Sequence, residues 1–264
     1  DSLTEIQSNA FYRTKGVRTL KLSNSCTYEP YALYGMGSCR KLVLQPDVAL
    51  TEGMFSQFSD LESVWFTGDI SEYDLPDALF ADCLKLRRID YRGTLTAIPA
   101  RMFQNCESLV INPETIGQIT AFRESCFENC KRISGTVTIA ESARIGTAAF
   151  KGCTGITELV LPATMTAFSP YSFSDTGITA IELPKGMTSV PEGAFADCKQ
   201  LTSVKFPISV LSIAKEAFSG CTALESINIP AFVKEIGGGN NNGAFYNCTS
   251  LKDVVFESND NCAV

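Results

Sequence analysis

Apolar residues in this chain recur in fixed columns rather than along one amphipathic stretch. Aligned on Phe in the pattern Ala-Phe-x-x-Cys, the columns hold Phe11, Phe55, Phe80, Phe103, Phe127, Phe150, Phe173, Phe195, Phe218 and Phe245, at intervals of 44, 25, 23, 24, 23, 23, 22, 23 and 27 residues. The interval of 44 is two periods. It hides a degenerate rung at about 23–50, recognised by Cys39, Leu42 and Leu44, and brings the count to about eleven rungs of about 23 residues. Three residues after the Phe stands Cys83, Cys106, Cys130, Cys153, Cys198, Cys221 or Cys248, and three further on usually a Leu or Ile such as Leu86, Ile156, Leu201, Leu224 or Leu251. Thr14, Phe58 and Thr176 fill the Cys column otherwise.

Each rung continues with an alternating segment, such as Val64, Trp65, Phe66 or Ile181, Glu182, Leu183, whose period of two predicts a strand with one buried face. Pro162, Pro184, Pro207 and Pro230 follow at once, where a missing N–H ends a ladder rather than interrupting it. A second inward position lies five residues before the Phe, at Ile6, Leu50, Leu75, Ile98, Phe122, Ile145, Phe168, Val190 and Ile213, with Ile236 displaced by a loop insertion at about 237–243. Two residues after the Phe stand Asp82, Asn105, Asn129, Gly152, Asp175, Asp197, Gly220 and Asn247, all types that tolerate a left-handed backbone. The expectation is a short helical turn carrying Ala-Phe, stopped by a left-handed residue that swings the Cys inward. No rung can bury its apolar side chains alone, so stability must come from stacking. The strands then form a parallel sheet about 50 Å long at one strand spacing per rung. The fifth rung is irregular around Ser108 to Asn112, and its register is left unassigned.

The run Leu224-x-x-Ile227-x-Ile229-Pro230, Val233-x-x-Ile236-Gly237, Ala244-Phe245-x-x-Cys248-x-x-Leu251 resembles the BspA-like leucine-rich repeats, and the likeness covers nearly the whole chain. The resemblance implies an α/β repeat solenoid: a curved right-handed superhelix over 1–264, with a parallel sheet on one face and short strands and helical turns on the other. It further implies a bacterial cell-surface or secreted protein that binds host proteins or other cells, with no enzyme activity and no cofactor.

Composition narrows the chemistry. The net charge of −7 and the pI near 4.8 set nucleic acid aside as a partner. The absence of histidine removes the commonest general base, the commonest transition-metal ligand and every Ser/His or Cys/His nucleophile pair. No apolar run approaches the ~20 residues of a membrane span, and Asp1 to Ala10 lacks the regions of a signal peptide. Seven of eleven cysteines share one column, which reads as small buried hydrophobes rather than zinc ligands or a disulfide framework. Cys26, Cys39, Cys126 and Cys262 lie outside it, and a Cys26–Cys39 bridge closing the second rung stays open as an alternative.

Other motifs weaken on inspection. The Gly237 to Gly243 stretch lacks the Lys-Ser/Thr of a phosphate loop. Asn247-Cys248-Thr249 matches a glycosylation acceptor only where a turn Asn recurs anyway. Glu158 and Glu182, on neighbouring rungs, are a remote candidate for paired-carboxylate glycan hydrolysis. The chain starts inside a rung and stops soon after a strand, which suggests a fragment of a longer protein or a small cap from Glu257 to Val264.

What remains is the outward face of the strands, running Lys21, Val43, Trp65, Asp90, Thr138, Val160, Glu182, Lys205, Asn228 and Val255. Its single tryptophan, Trp65, sits between Val43 and Asp90 and near Lys41, Arg88 and Arg92, and Trp with Arg is the pair most enriched in interface hot spots. A second candidate is the aromatic stretch with Tyr28, Tyr31 and Tyr34. The leading expectation is a binding module for a protein, with a glycan as a further partner class. The rival expectation is a rigid spacer in a longer surface protein.

Overall fold

The computed structural model describes residues 3–239 and 242–258. It is a parallel β-solenoid of about eleven turns. Cys262, Asn240, Asn241 and most of the Glu257 to Val264 segment lie outside the described residues.

The outward-and-inward strands come in sections rather than as one unbroken sheet. Lys41–Leu44, Ser63–Asp69 and Arg88–Arg92 form one section. Gly135–Thr138 with Ile156–Val160, Ala180–Glu182 with Ser203–Lys205, and Ser226–Ile229 with Asp253–Phe256 form the others. Burial alternates as the pattern predicts in strands such as Lys41–Leu44, where Leu42 and Leu44 are buried while Lys41 and Val43 are exposed, whereas all four residues of Asp253–Phe256 are exposed. A second line of two-residue strands, such as Ala97–Ile98, Ala121–Phe122 and Arg144–Ile145, carries the other inward column.

The Phe column is the spine of the core. Ring centroids of Phe55, Phe80, Phe103, Phe127, Phe150, Phe173, Phe195, Phe218 and Phe245 follow one another at 5.4 to 6.0 Å, nearly parallel except for a 31° tilt between Phe127 and Phe150. Such offset stacks add to the burial of each ring. Leu33 fills the column in the degenerate rung, which explains the double interval. Phe11 is 38% exposed and Ile236, in the other inward column, is 39% exposed; among the described residues each is packed against a neighbouring rung on one side.

The column cysteines do more than fill space. Each thiol donates to the carbonyl of the Phe one rung back: Cys83 to Phe55, Cys106 to Phe80, Cys130 to Phe103 and Cys153 to Phe127, at 3.0 to 3.2 Å. A weak donor in a dry core satisfies an acceptor that water cannot reach. Where Thr176 replaces Cys, its hydroxyl donates instead within its own rung, to Phe173 O at 2.9 Å. Cys26 and Cys39 are free, buried thiols whose Sγ atoms donate to nearby backbone carbonyls, so the bridge left open for them is not formed.

The expected helical turns are absent. Among the described residues helix is limited to the 3-10 turn Ile70–Glu72 and the single α-turn Pro113–Ile116. The reason is a pair of left-handed residues, four apart, around the Phe of every rung but that of Phe245, which has only the second. All eight of the permissive residues after the Phe have positive φ. So do the residues two before it: Ala78, Arg101, Ser125, Ala148, Tyr171, Gly193 and Glu216. A helix interrupted every fourth residue cannot propagate. This geometry aims alternate N–H groups at the next rung: Ala78 to Ala100 O, Phe80 to Met102 O and Asp82 to Gln104 O, at 2.8 to 3.0 Å. A left-handed non-glycine residue costs about 1–2 kcal/mol, and an inter-rung backbone hydrogen bond offsets it where the alternative is a buried orphan donor. Side chains reinforce the same ladder, with Asn129 donating to Asn105 and Asn105 to Asp82 at 2.7 and 2.6 Å.

Candidate functional site

The three-stranded section brings most of the predicted site residues together. Lys41, Ser63 and Arg88 stand side by side in register, as do Val43, Trp65 and Asp90. Alternation turns Val43 and Trp65 outward, 45% and 43% exposed, while Leu42, Val64 and Phe66 enter the core. The Lys41 ammonium lies 5.6 Å from the Trp65 ring centroid, a cation–π contact worth about 0.5–1 kcal/mol at an exposed site. Arg88 Nε pairs with Asp90 Oδ2 at 2.9 Å, but both side chains are solvated, so the pair orients the guanidinium more than it stabilises the fold. Arg92 joins the same sheet opposite Asp69, beyond a break in register after Trp65. Together these residues form an aromatic and aliphatic centre with a charged rim.

The tyrosines are placed elsewhere. Tyr28 is buried: it pairs with Ile6 in the second inward column, five residues before Leu33. Tyr31 and Tyr34 lie in the turns, not on the strands, and form an edge-to-face pair at 5.9 Å. Tyr34 stacks on the exposed Tyr12 at 5.3 Å. The Tyr31 hydroxyl donates to Glu52 Oε1 at 2.9 Å, and Arg101 reaches the same carboxylate. Burial, and then the neighbouring Glu52, push the Tyr31 phenol above its ordinary pKa. Its ring covers Gly53 of the next rung, where a β-carbon would collide with it. Tyr171 repeats the arrangement over Gly193, with its hydroxyl on Glu192 and Glu216 at 2.8 and 2.9 Å. The repetition marks Tyr31 as part of the rung-stacking machinery, a role that aligning on the Phe column alone concealed.

The remaining candidates for chemistry are each engaged singly. Glu182 pairs with Lys205 at 2.8 Å and Glu158 accepts from Thr136 at 2.6 Å, both solvent-exposed. Among the described residues no group of three or more Cys, Asp or Glu could hold a metal ion, and no helix is long and apolar enough to cross a membrane.

The feature the sequence reading left open is the fifth rung. Where other rungs run a strand, Asn112 caps a one-turn helix, its side chain accepting from the Glu114 N–H at 3.0 Å, with Pro113 at the first helical position. The sheet stops there, and a cleft of about 280 Å³ opens beside the Arg88–Arg92 strand, with Phe66, Ile98 and Phe103 among its deep residues and Asp90, Val110 and Asn112 towards solvent. The Asn112-Pro113 pair was the available signal.

Comparison with known proteins follows this architecture. No curated protein matches the chain significantly. Among solved structures, the pneumococcal vaccine antigen PcpA is 16% identical, with a TM-score of 0.51, covering 98% of this chain and 68% of that one. A leucine-rich repeat protein from Eubacterium ventriosum is 14% identical, with a TM-score of 0.50, covering 96% of this chain and 63% of that one. A leucine rich cell surface protein from Faecalibacterium prausnitzii is 16% identical, with a TM-score of 0.42 and coverage of 97% and 84%. At these identities the likeness is one of fold. The model of the BspA type leucine rich repeat region matches six copies over residues 1–110 and 120–252, pausing across the irregular fifth rung. With its columns, register and turn chemistry repeated over nearly its whole length, the chain belongs to the BspA-type leucine-rich repeat family.

Proposed function

We propose that this chain is a non-catalytic recognition module displayed outside a bacterial cell, binding a protein partner through its strand-lined face. The observation that carries the reading is the placement of Trp65 at the centre of the three-stranded section, under Lys41 and beside Val43, Arg88 and Asp90. An outward tryptophan does nothing for the core. Once desolvated by a partner it supplies a large rigid contact, and the neighbouring guanidinium supplies directional hydrogen bonds.

The test is adhesion of the purified chain to cultured epithelial cells and to immobilised extracellular proteins. Trp65→Ala and Arg88→Glu are each expected to weaken capture by ten-fold or more, with unchanged circular dichroism and only a small shift in melting temperature, because neither side chain lies in the core. Lys205→Glu, farther along the same face, serves as control. Capture unchanged in both variants would overturn the site and favour a spacer role.

A further inference from the structure

We propose that the interruption of the sheet at the fifth rung is a binding cleft for an acidic polypeptide segment, taking an aliphatic or aromatic side chain into its apolar hollow and a neighbouring carboxylate onto Arg87 and Arg132. The proposal rests on the reading of the strand face as a recognition surface, but apart from Asp90 it uses different residues from the Trp65 patch.

The geometry begins with the missing strand. Val110 N–H still reaches Arg87 O at 3.0 Å, but Pro113 has no N–H to offer and the chain coils away into its helical turn. Among the described residues no backbone group of the fifth rung donates to Ile89 or Tyr91. The half-buried Ile89, Tyr91, Leu95 and Ile111 therefore line a hollow instead of touching a next strand. Its volume of about 280 Å³ compares with about 150 Å³ for an apolar cavity that takes a benzene ring, so one or two side chains fit.

Charge selects the occupant. Val110, 54% exposed, is shared between this hollow and an adjoining one of about 180 Å³ lined by Arg87, Ser108 and Arg132. Arg87 and Arg132 form no ion pair among the described residues, in a chain whose net charge is −7. The acidic Asp90 at the mouth is already matched by Arg88. The mouth is thus a local cationic site on an anionic protein. Guanidinium groups bind carboxylates through paired hydrogen bonds, and the apolar hollow beside them removes water from the contact. The family match pauses over residues 111–119, which supply Ile111, Asn112, Thr115 and Ile119 to the lining, so the hollow opens where the repeat pattern lapses.

Fluorescence anisotropy with three labelled peptides on the whole chain tests the assignment: one alternating glutamate and phenylalanine, one with lysine for glutamate, and one with serine for phenylalanine. The first is expected to bind, weakening with added salt, and the other two to bind at least ten-fold more weakly. Arg87→Glu, Arg132→Glu and Val110→Asp, all exposed positions, are each expected to reduce binding of the first peptide ten-fold or more, whereas Trp65→Ala leaves it unchanged. Absent binding of the first peptide, equal binding of the lysine peptide, or indifference to both arginine variants would overturn the cleft while leaving the Trp65 reading to its own assay. Tighter binding of heparin, lost in the same arginine variants, would assign the cations to a sulfated glycan and also overturn the proposal.

Discussion

Phe150→Ala is expected to destabilise the chain by about 3–5 kcal/mol, the range for deleting a fully buried aromatic ring. Phe150 has no exposed surface and touches rings on three sides: Phe122 at 4.9 Å, Phe127 at 5.7 Å and Phe173 at 5.7 Å. The neighbouring backbones are tied rung to rung by the turn hydrogen bonds, so the rungs cannot slide together to close the void. Because each rung touches only its neighbours, the damage should be local, and the cooperativity of a stacked array should suffer with it. Urea unfolding is expected to show a lowered midpoint and a second transition as the two halves uncouple. Phe11→Ala, at a half-solvated ring, should cost far less. A loss below about 1 kcal/mol at Phe150 would show that the ring column is not the main source of coupling between rungs.

The uneven legibility of the fold follows from which forces act on side chains and which on the backbone. Burial chooses side chains, so the Phe, Cys and Leu columns and the alternation of the strands could be read directly. The left-handed residues after the Phe were legible because Asp, Asn and Gly fill them. Their partners two residues before the Phe were not, since Ala78, Arg101, Ser125 and Glu216 have no chemistry in common. There the conformation is imposed by hydrogen bonds between rungs, and the buried Ala78 and Ser125 serve as well as the exposed Arg101. Tyr28 was misplaced because the aromatic cluster around it drew attention to the surface, although counting five back from Leu33 puts it in the inward column. The outward Trp65 patch could be assembled from period two alone. The cleft could not, because it is made by a strand that fails to form and by side chains that other rungs use as ordinary core.

Raising the pH from 8 to 10 is expected to destabilise the protein through its thiols. Burial pushes the Cys83 thiol from 9.0 up to about 12 and that of Cys198 to about 11, and it drives Cys106, Cys126 and Cys130 well above the ordinary value. The folded state therefore prefers the protonated thiol. Below pH 9 both states are protonated and this stabilisation is fully present. Above it the unfolded chain releases protons that the folded chain keeps, so stability falls as pH rises, until the folded thiol itself ionises near 11 to 12. Each such thiol lowers the folding equilibrium constant by about ten-fold per pH unit. Several such thiols lie in the column, so their contributions add and the loss of stability steepens with pH. Tyr31 and Tyr171, whose phenols are also raised, add to the slope at higher pH. Urea midpoints measured from pH 7.5 to 10 should therefore fall steeply, and Ellman's reagent should react slowly with the native chain at pH 8. Cys83→Ser keeps a donor for Phe55 O but cannot ionise in this range, so it should flatten the pH dependence by about one proton even if it is less stable at neutral pH. An identical slope in wild type and in a Cys83→Ser, Cys198→Ser double variant would mean that the buried thiols do not govern alkaline stability.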